Sequence, residues 1–221
     1  MSEAIGQVVS FGVGVSLSPI PIIAVVLMLA TPRGGTVGPA FLVGWVLGLA
    51  VVGTITLLVS SGADASSSSS SDGVGWVKIV LGVLLLLVAV RQWRGRPRGD
   101  AEPEMPKWMA SIDSFTPVKA TGLGVLLSGL NPKNLLLVVG AGLAIAQTGA
   151  STEDQAVALA VFVVLGTIGP AVPVAVYFLM RDRADRLLGE LKHWMTHSNA
   201  AIMAVLCLVI GAKLIGDGIA G

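Results

Sequence analysis

SPIP at Ser18–Pro21 and NPKN at Asn131–Asn134 each interrupt a long apolar stretch of this 221-residue chain. Proline removes a backbone donor and clashes with the preceding turn, so each motif predicts a break in a helix. In hydrocarbon an unsatisfied backbone group costs several kcal/mol, and a spanning helix therefore breaks only where protein or a water-filled cavity surrounds the gap. Paired breaks at corresponding positions of two halves are typical of binding sites in transporters.

The composition places the chain among integral membrane proteins. Hydrophobic residues make up 54% of it and charged residues 12%, against roughly 25% charged residues in soluble domains. The net charge of +1 gives no indication of a nucleic-acid partner. A single cysteine, Cys207, excludes an internal disulfide and a multi-cysteine metal site. His193 and His197 are four residues apart, but no glutamate completes a metalloprotease motif, and we predict no enzyme activity, metal or cofactor.

Six apolar runs are long enough to cross a bilayer core of about 30 Å. We therefore predict an all-α polytopic membrane protein with six transmembrane helices in a single domain over residues 1–221. The first three-helix half is 1–94, a cytoplasmic linker covers 95–116, and the second half is 117–221. The predicted spans lie near residues 4–31, 37–61, 74–94, 117–147, 154–180 and 198–217.

Charge in the connecting segments predicts the orientation. Residues 91–119 and 181–192 are rich in lysine and arginine, whereas residues 62–73 contain neither. By the positive-inside rule the two basic segments are cytoplasmic, and 62–73 is a flexible external loop. Six spans then place both termini outside.

The two breaks lie in spans that run in opposite directions. Span 1 enters from outside and span 4 from inside, which predicts a 3+3 inverted repeat with broken helices in spans 1 and 4. Ser18 and Asn131 are favourable N-cap residues, and Pro19 and Pro132 suit the first helical position. Each motif is expected to start a half-helix. The alternative is an ordinary proline kink, because proline is frequent in membrane helices.

Two further sets of small or helix-breaking residues are candidates for structural roles. Gly169, Pro170 and Pro173 form a third weak point in span 5, which is expected to line the same cavity or act as a hinge. Gly44 and Gly48, with Gly53 a turn beyond, give span 2 a small-residue face. That face predicts close packing within the monomer rather than dimerisation.

Lys133 is expected near the middle of span 4, where a charge costs at least about 2.5–3.5 kcal/mol. Such a residue is a functional candidate, and the alternative is that its long stem reaches an aqueous vestibule. No Asp or Glu lies in the central part of any predicted span. An ammonium beside two half-helix N-termini attracts anions, so the cargo is expected to be anionic or neutral.

Four segments carry a family resemblance: Leu17–Ile22, Thr31–Gly34, Ala40–Trp45 and Asn131–Asn134. Together they resemble the GAP family of actinobacterial membrane proteins, within the LysE transporter superfamily. The resemblance implies six helices, a bacterial inner membrane, and a role in moving glycolipids such as peptidoglycolipid or sulfolipid toward the cell surface. Typical LysE exporters have Pro-Gly-Pro where this chain has Pro-Ile-Pro at 19–21, which favours the lipid branch over amino-acid export.

The sequence therefore predicts a transporter or translocation partner for an anionic lipid or glycolipid. One alternative is a LysE-type, proton-coupled exporter of small amino-acid-like or anionic solutes. Another is a non-transporting adaptor that recruits a larger lipid-export complex through residues 95–116, and a homodimer also stays open. The predicted substrate-binding residues are Ser18, Pro19, Pro21, Asn131, Pro132, Lys133 and Asn134.

Overall fold

A computed structural model describes residues 2–64, 70–96, 107–180 and 183–220. Within those ranges the chain forms eight α-helices and no strand. A 3₁₀ segment, Lys107–Ser114, precedes α5, and a π-helical turn, Leu126–Leu130, follows it. The helices are α1 Ser2–Ser16, α2 Pro19–Leu29, α3 Gly34–Asp64, α4 Ser70–Arg94, α5 Pro117–Val125, α6 Pro132–Ala146, α7 Thr152–Met180 and α8 Ala184–Ile219.

The helices give four to six candidate membrane spans and make the chain a multi-pass membrane protein. Four stretches are long and apolar enough to cross a membrane alone: Gly34–Ser60, Gly75–Arg94, Thr152–Met180 and Ala184–Ile219. Two bent pairs of helices become the remaining spans if each pair crosses as one unit. Ile5–Ser16 and Pro19–Leu29 meet at 52°, and Pro117–Leu130 and Pro132–Ala146 meet at 62°. Both predicted breaks are confirmed at their proline motifs.

Two connecting segments differ from the sequence prediction because helices extend into them. Most of the predicted external loop 62–73 is helical, since α3 continues to Asp64 and α4 begins at Ser70, while 65–69 lies outside the described residues. The last helix begins at Ala184 rather than near residue 198. Leu188 and Met195 are buried there between exposed charged residues, so an amphipathic pattern extends the helix where mean hydropathy falls.

The predicted linker 95–116 is only partly described. Residues 97–106 lie outside the described residues, and the 3₁₀ segment that follows packs against α2. Met109 and Ile112 are buried in the core, which fixes this segment to the helical body.

Close helix contacts hold the core together. A Cβ at Gly44 would meet the carbonyl oxygen of Thr121 on α5, and one at Gly48 would meet the Ser128 hydroxyl in the π-helical turn. The small-residue face of α3 therefore packs inside the monomer, as predicted. At the α3–α7 contact, the indole N–H of buried Trp45 donates a hydrogen bond to the carbonyl oxygen of Gly166 at 3.1 Å.

Candidate functional site

The two broken helices meet through buried polar side chains. The Ser18 hydroxyl, at the start of α2, donates a hydrogen bond to Asn134 Oδ1 on α6 at 3.0 Å. Lys133 Nζ donates to the same Ser18 hydroxyl oxygen at 2.6 Å. These three residues come from motifs more than a hundred positions apart, and all three are buried. The structure therefore brings the centre of both predicted motifs into one cluster.

Lys133 also joins the end of α1. Its side chain is 3% exposed, and Nζ donates to the carbonyl oxygen of Gly14 at 2.7 Å. That carbonyl is free because the Ser18 N–H turns to the Val15 oxygen, at 3.2 Å, as the helix ends. The last carbonyls of a helix carry partial negative charge. The ammonium thus stabilises the C-terminal end of a half-helix, while Lys133 itself lies in the first turn of α6 and its Nζ contacts the N-cap residue of α2.

Asn134 performs the same task in the second broken helix. Its Nδ2 group donates to the carbonyl oxygen of Leu127 at 2.8 Å. Leu127 lies in the π-helical turn, where a carbonyl pairs with the N–H five residues later. For Leu127 that residue is Pro132, which has no N–H. The asparagine side chain therefore replaces the backbone donor that the proline lacks.

The two expected N-caps differ. Asn131 Oδ1 accepts a hydrogen bond from the Lys133 backbone N–H at 3.2 Å, which confirms its capping role. Ser18 occupies the N-cap position of α2 but makes no side-chain capping bond, and that prediction was wrong. Its hydroxyl is already held by Lys133 and Asn134, which offer a charged donor and a strong acceptor in place of a backbone N–H.

The remaining predicted site residues surround this cluster at different depths. Pro19 and Pro21 are buried in α2, and Pro132 is exposed. Both Pro19 and Pro132 lie in the first turn of their helices, as predicted. None of the three prolines donates or accepts a side-chain hydrogen bond, so their contribution is to shape the breaks.

Helix α7 packs against the end of α1 at the first break. The Gly169 N–H donates to the Ser16 hydroxyl at 2.8 Å, and a Cβ at Gly169 would collide with the carbonyl of Ser16. Pro170 and Pro173 are buried within α7, which continues through them as one helix. The third weak point therefore contacts the end of α1, and its role as a hinge stays a prediction.

Sequence reasoning missed the backbone acceptors of the site. Gly14 and Leu127 contribute only carbonyl oxygens, each four residues before the serine or asparagine that begins the next helix. The useful signal was the break itself, because a helix that ends inside a membrane leaves carbonyls that need donors. Which side chains supply those donors depends on the meeting of the two helices in space.

Comparison with known proteins gives one family. A family model described as Sap, sulfolipid-1-addressing protein, matches residues 8–220. The chain belongs to this family. The match confirms the resemblance to the glycolipid-addressing GAP proteins that the sequence motifs indicated. No curated protein and no solved structure matches the chain.

The Sap-family match covers the whole hydrogen-bonded cluster, whose chemistry is that of one cation among neutral groups. The partners of Lys133 are a hydroxyl and a carbonyl oxygen. Over 2–64, 70–96, 107–180 and 183–220, no group of three His, Cys, Asp or Glu side chains is placed to hold a metal ion. In the described segments no carboxylate bonds to the ammonium, whose charge faces only neutral oxygens.

Proposed function

We propose that this Sap-family chain moves an anionic lipid or glycolipid toward the cell surface, as a transporter or translocation partner, through a site centred on Lys133. The observation that carries the proposal is a buried ammonium that joins two broken helices and bonds only to neutral oxygens. The family description names a sulfolipid, and a sulfated headgroup has the charge that such an ammonium attracts. Phosphate and carboxylate share this chemistry.

An anionic headgroup would compete with the present partners of Lys133. The present hydrogen bonds of Lys133 have one ionised partner, the ammonium, whereas an anionic headgroup would form a charge-assisted bond in which both partners are ionised. When an anion binds Nζ, the Ser18 hydroxyl and the Gly14 carbonyl lose their donor. The direct link between α2 and α6 is then weakened, and the state with separated broken helices binds the cargo better. A difference in contacts of this kind is what a ligand needs to shift a conformational equilibrium.

The packing supports a 3+3 inverted repeat. Helix α1 packs on α7, the second helix of the other half, and α5 packs on α3 in the same way. The third helices of the two halves, α4 and α8, pair with each other. Equivalent contacts of this kind between the two halves are expected of repeats related by an axis in the membrane plane. It favours alternating access, or a lateral groove between the halves. The family resemblance and the positive-inside rule support a bacterial plasma membrane with both termini outside.

Replacement of Lys133 by alanine tests the site. We expect Lys133→Ala to retain roughly 10- to 150-fold less anionic lipid, because a hydrogen bond to a charged group contributes about 1.5–3 kcal/mol. Native mass spectrometry of protein purified in mild detergent would compare the lipids that each variant retains. Lys213→Ala is the matched control, since Lys213 is a half-buried lysine of α8 that pairs with Asp217 instead. Identical lipid profiles for wild type and Lys133→Ala would remove the proposal.

Replacement of the linker distinguishes a carrier from an adaptor. If residues 95–116 are exchanged for a neutral linker that keeps the buried Met109 and Ile112, we expect purified protein in liposomes to translocate a fluorescent anionic lipid at the wild-type rate. Loss of the cellular function together with no lipid movement by either form in liposomes would favour the adaptor. Uptake of a radiolabelled amino-acid panel would in turn reveal a small-solute exporter.

A further inference from the structure

A groove on the outer surface of the helix bundle lies away from the broken helices, where α4 packs against α8. The two helices enclose a groove of about 380 Å³ whose lining side chains are all apolar. Its floor is formed by the buried residues Ala89 and Ala204, and its walls by larger exposed side chains. The complete lining is Ala89, Val90, Trp93, Ala204, Val205 and Leu208.

One end of the groove is marked by an aromatic ring and by cations. Trp93 is half-exposed, and the guanidinium of Arg96 stacks on its ring at 3.7 Å from the centroid. Arg94 is four residues beyond Val90, which places it on the same helix face. In the described segments no carboxylate pairs with either arginine. Under the positive-inside rule, this end lies at the cytoplasmic surface, where tryptophan rings occupy the headgroup level.

We propose that the groove binds an anionic phospholipid of the cytoplasmic leaflet. One acyl chain lies between α4 and α8 against the two alanines, and the phosphate contacts Arg94 and Arg96 above Trp93. Basic pockets between transmembrane helices on the cytoplasmic side are suited to such headgroups. The stacked arginine keeps the N–H donors in the plane of its guanidinium free for phosphate oxygens, which a guanidinium binds in a bidentate manner.

Charge favours a lipid over a second copy of the chain as the occupant. A two-fold dimer within the membrane would bring the same surface of both copies together. Arg94 and Arg96 would then face their own counterparts, and like charges across an interface are unfavourable. A phosphate neutralises them instead. The groove shares no residue with the cluster around Lys133, so this inference stands apart from the proposed translocation site.

Quenching of tryptophan fluorescence tests the inference directly. The full-length protein is placed in nanodiscs, and either dibrominated phosphatidylglycerol or dibrominated phosphatidylcholine is titrated into unlabelled phosphatidylcholine. One cation near the surface favours an anionic headgroup roughly fivefold. With two arginines we expect Trp93 to reach half-quenching at a roughly 10- to 30-fold lower fraction of phosphatidylglycerol. The Trp93 component is the difference between wild type and Trp93→Phe.

Two variants serve as controls. Arg94→Gln/Arg96→Gln should abolish the preference for phosphatidylglycerol while Trp93 is still quenched by both lipids. Trp76→Phe removes the exposed tryptophan near the opposite end of α4 and should leave the preference intact. Lys133→Ala should also leave it intact, which separates this result from a failure of the proposed function.

Two outcomes would overturn the inference, and each identifies a different occupant of the groove. Equal quenching of Trp93 by the two brominated lipids would mean that the groove is filled by bulk lipid without headgroup selection. Absence of quenching by both lipids, together with a dimer mass by light scattering, would mean that a second copy covers the groove.

Discussion

Cross-linking position 18 to position 134 is expected to reduce lipid translocation to the rate of protein-free liposomes. Ser18 Oγ and Asn134 Oδ1 lie 3.0 Å apart, so cysteines at both positions are within reach of a short, reducible thiol reagent. If an anionic headgroup must separate α2 from α6 to reach Lys133, a covalent link between the two helices holds the site in its present arrangement. Addition of a reductant should restore movement of lipid.

The measurement is the movement of a fluorescent anionic lipid between leaflets, followed by extraction of the outer-leaflet lipid with albumin, which leaves the reducible cross-link intact. The background for all variants is Cys207→Ala, because Cys207 is the single cysteine of the chain. Ser18→Cys and Asn134→Cys, each treated alone with the reagent, are the matched controls, since one thiol cannot link the helices. The translocation rates of these single variants show how much the loss of each polar side chain slows lipid movement by itself.

Unchanged translocation by the cross-linked double variant would contradict the proposal. Lipid would then pass the protein without separating the broken helices, for example along an outer surface. Loss of movement in a single variant after treatment would instead indicate that the reagent blocks the site by its bulk. Only loss that depends on both cysteines and on the intact link supports opening between α2 and α6.

The positions of the two helix breaks could be predicted from the sequence, but the contact between them could not. Proline at positions 19 and 132 removes backbone donors, and this local effect is independent of the rest of the fold. The angles of 52° and 62° and the contact of Ser18 with Asn134 depend on how α1, α6 and α7 pack. A single sequence carries no direct record of that packing.

The site was predictable to the extent that it rests on charge. A lysine near the middle of a span is costly, so the importance of Lys133 could be inferred from its position in the sequence. Its partner on α1 is a glycine carbonyl, and every residue of the chain, proline included, offers an equivalent backbone carbonyl as an acceptor. The π-helical turn before Pro132 was equally hidden, because it arises from the way the helix adjusts to a missing donor.

The last helix illustrates a limit of hydropathy. Its first turns contain Arg186, Glu190 and Lys192, which lowered the average hydrophobicity and led to the prediction of a connector. Burial of Ala184, Leu188 and Met195 follows the period of an amphipathic helix. A search for periodicity in addition to mean hydropathy would have extended the helix toward Ala184.

Gly44→Val is expected to destabilise the fold by at least about 3 kcal/mol, the upper part of the usual cost of overpacking. A Cβ at Gly44 would collide with the backbone of Thr121 on α5. Backbone atoms of a packed helix cannot rotate away as a flexible side chain can, so α3 and α5 must separate. Because α5 leads into the π-helical turn and the second break, we also expect Lys133 to lose its alignment with Gly14.

Gly122→Val is the matched control. Gly122 is also inside a helix, α5, yet nothing lies within 4 Å of a Cβ added there. Both substitutions change helix propensity by the same amount, so the difference between them isolates the close approach of α3 to α5. Thermal unfolding in detergent, followed by circular dichroism and size-exclusion chromatography, gives that difference. Equal stability of the two variants would mean that α3 and α5 are not in backbone contact, and the small-residue face of α3 would then have to serve another surface.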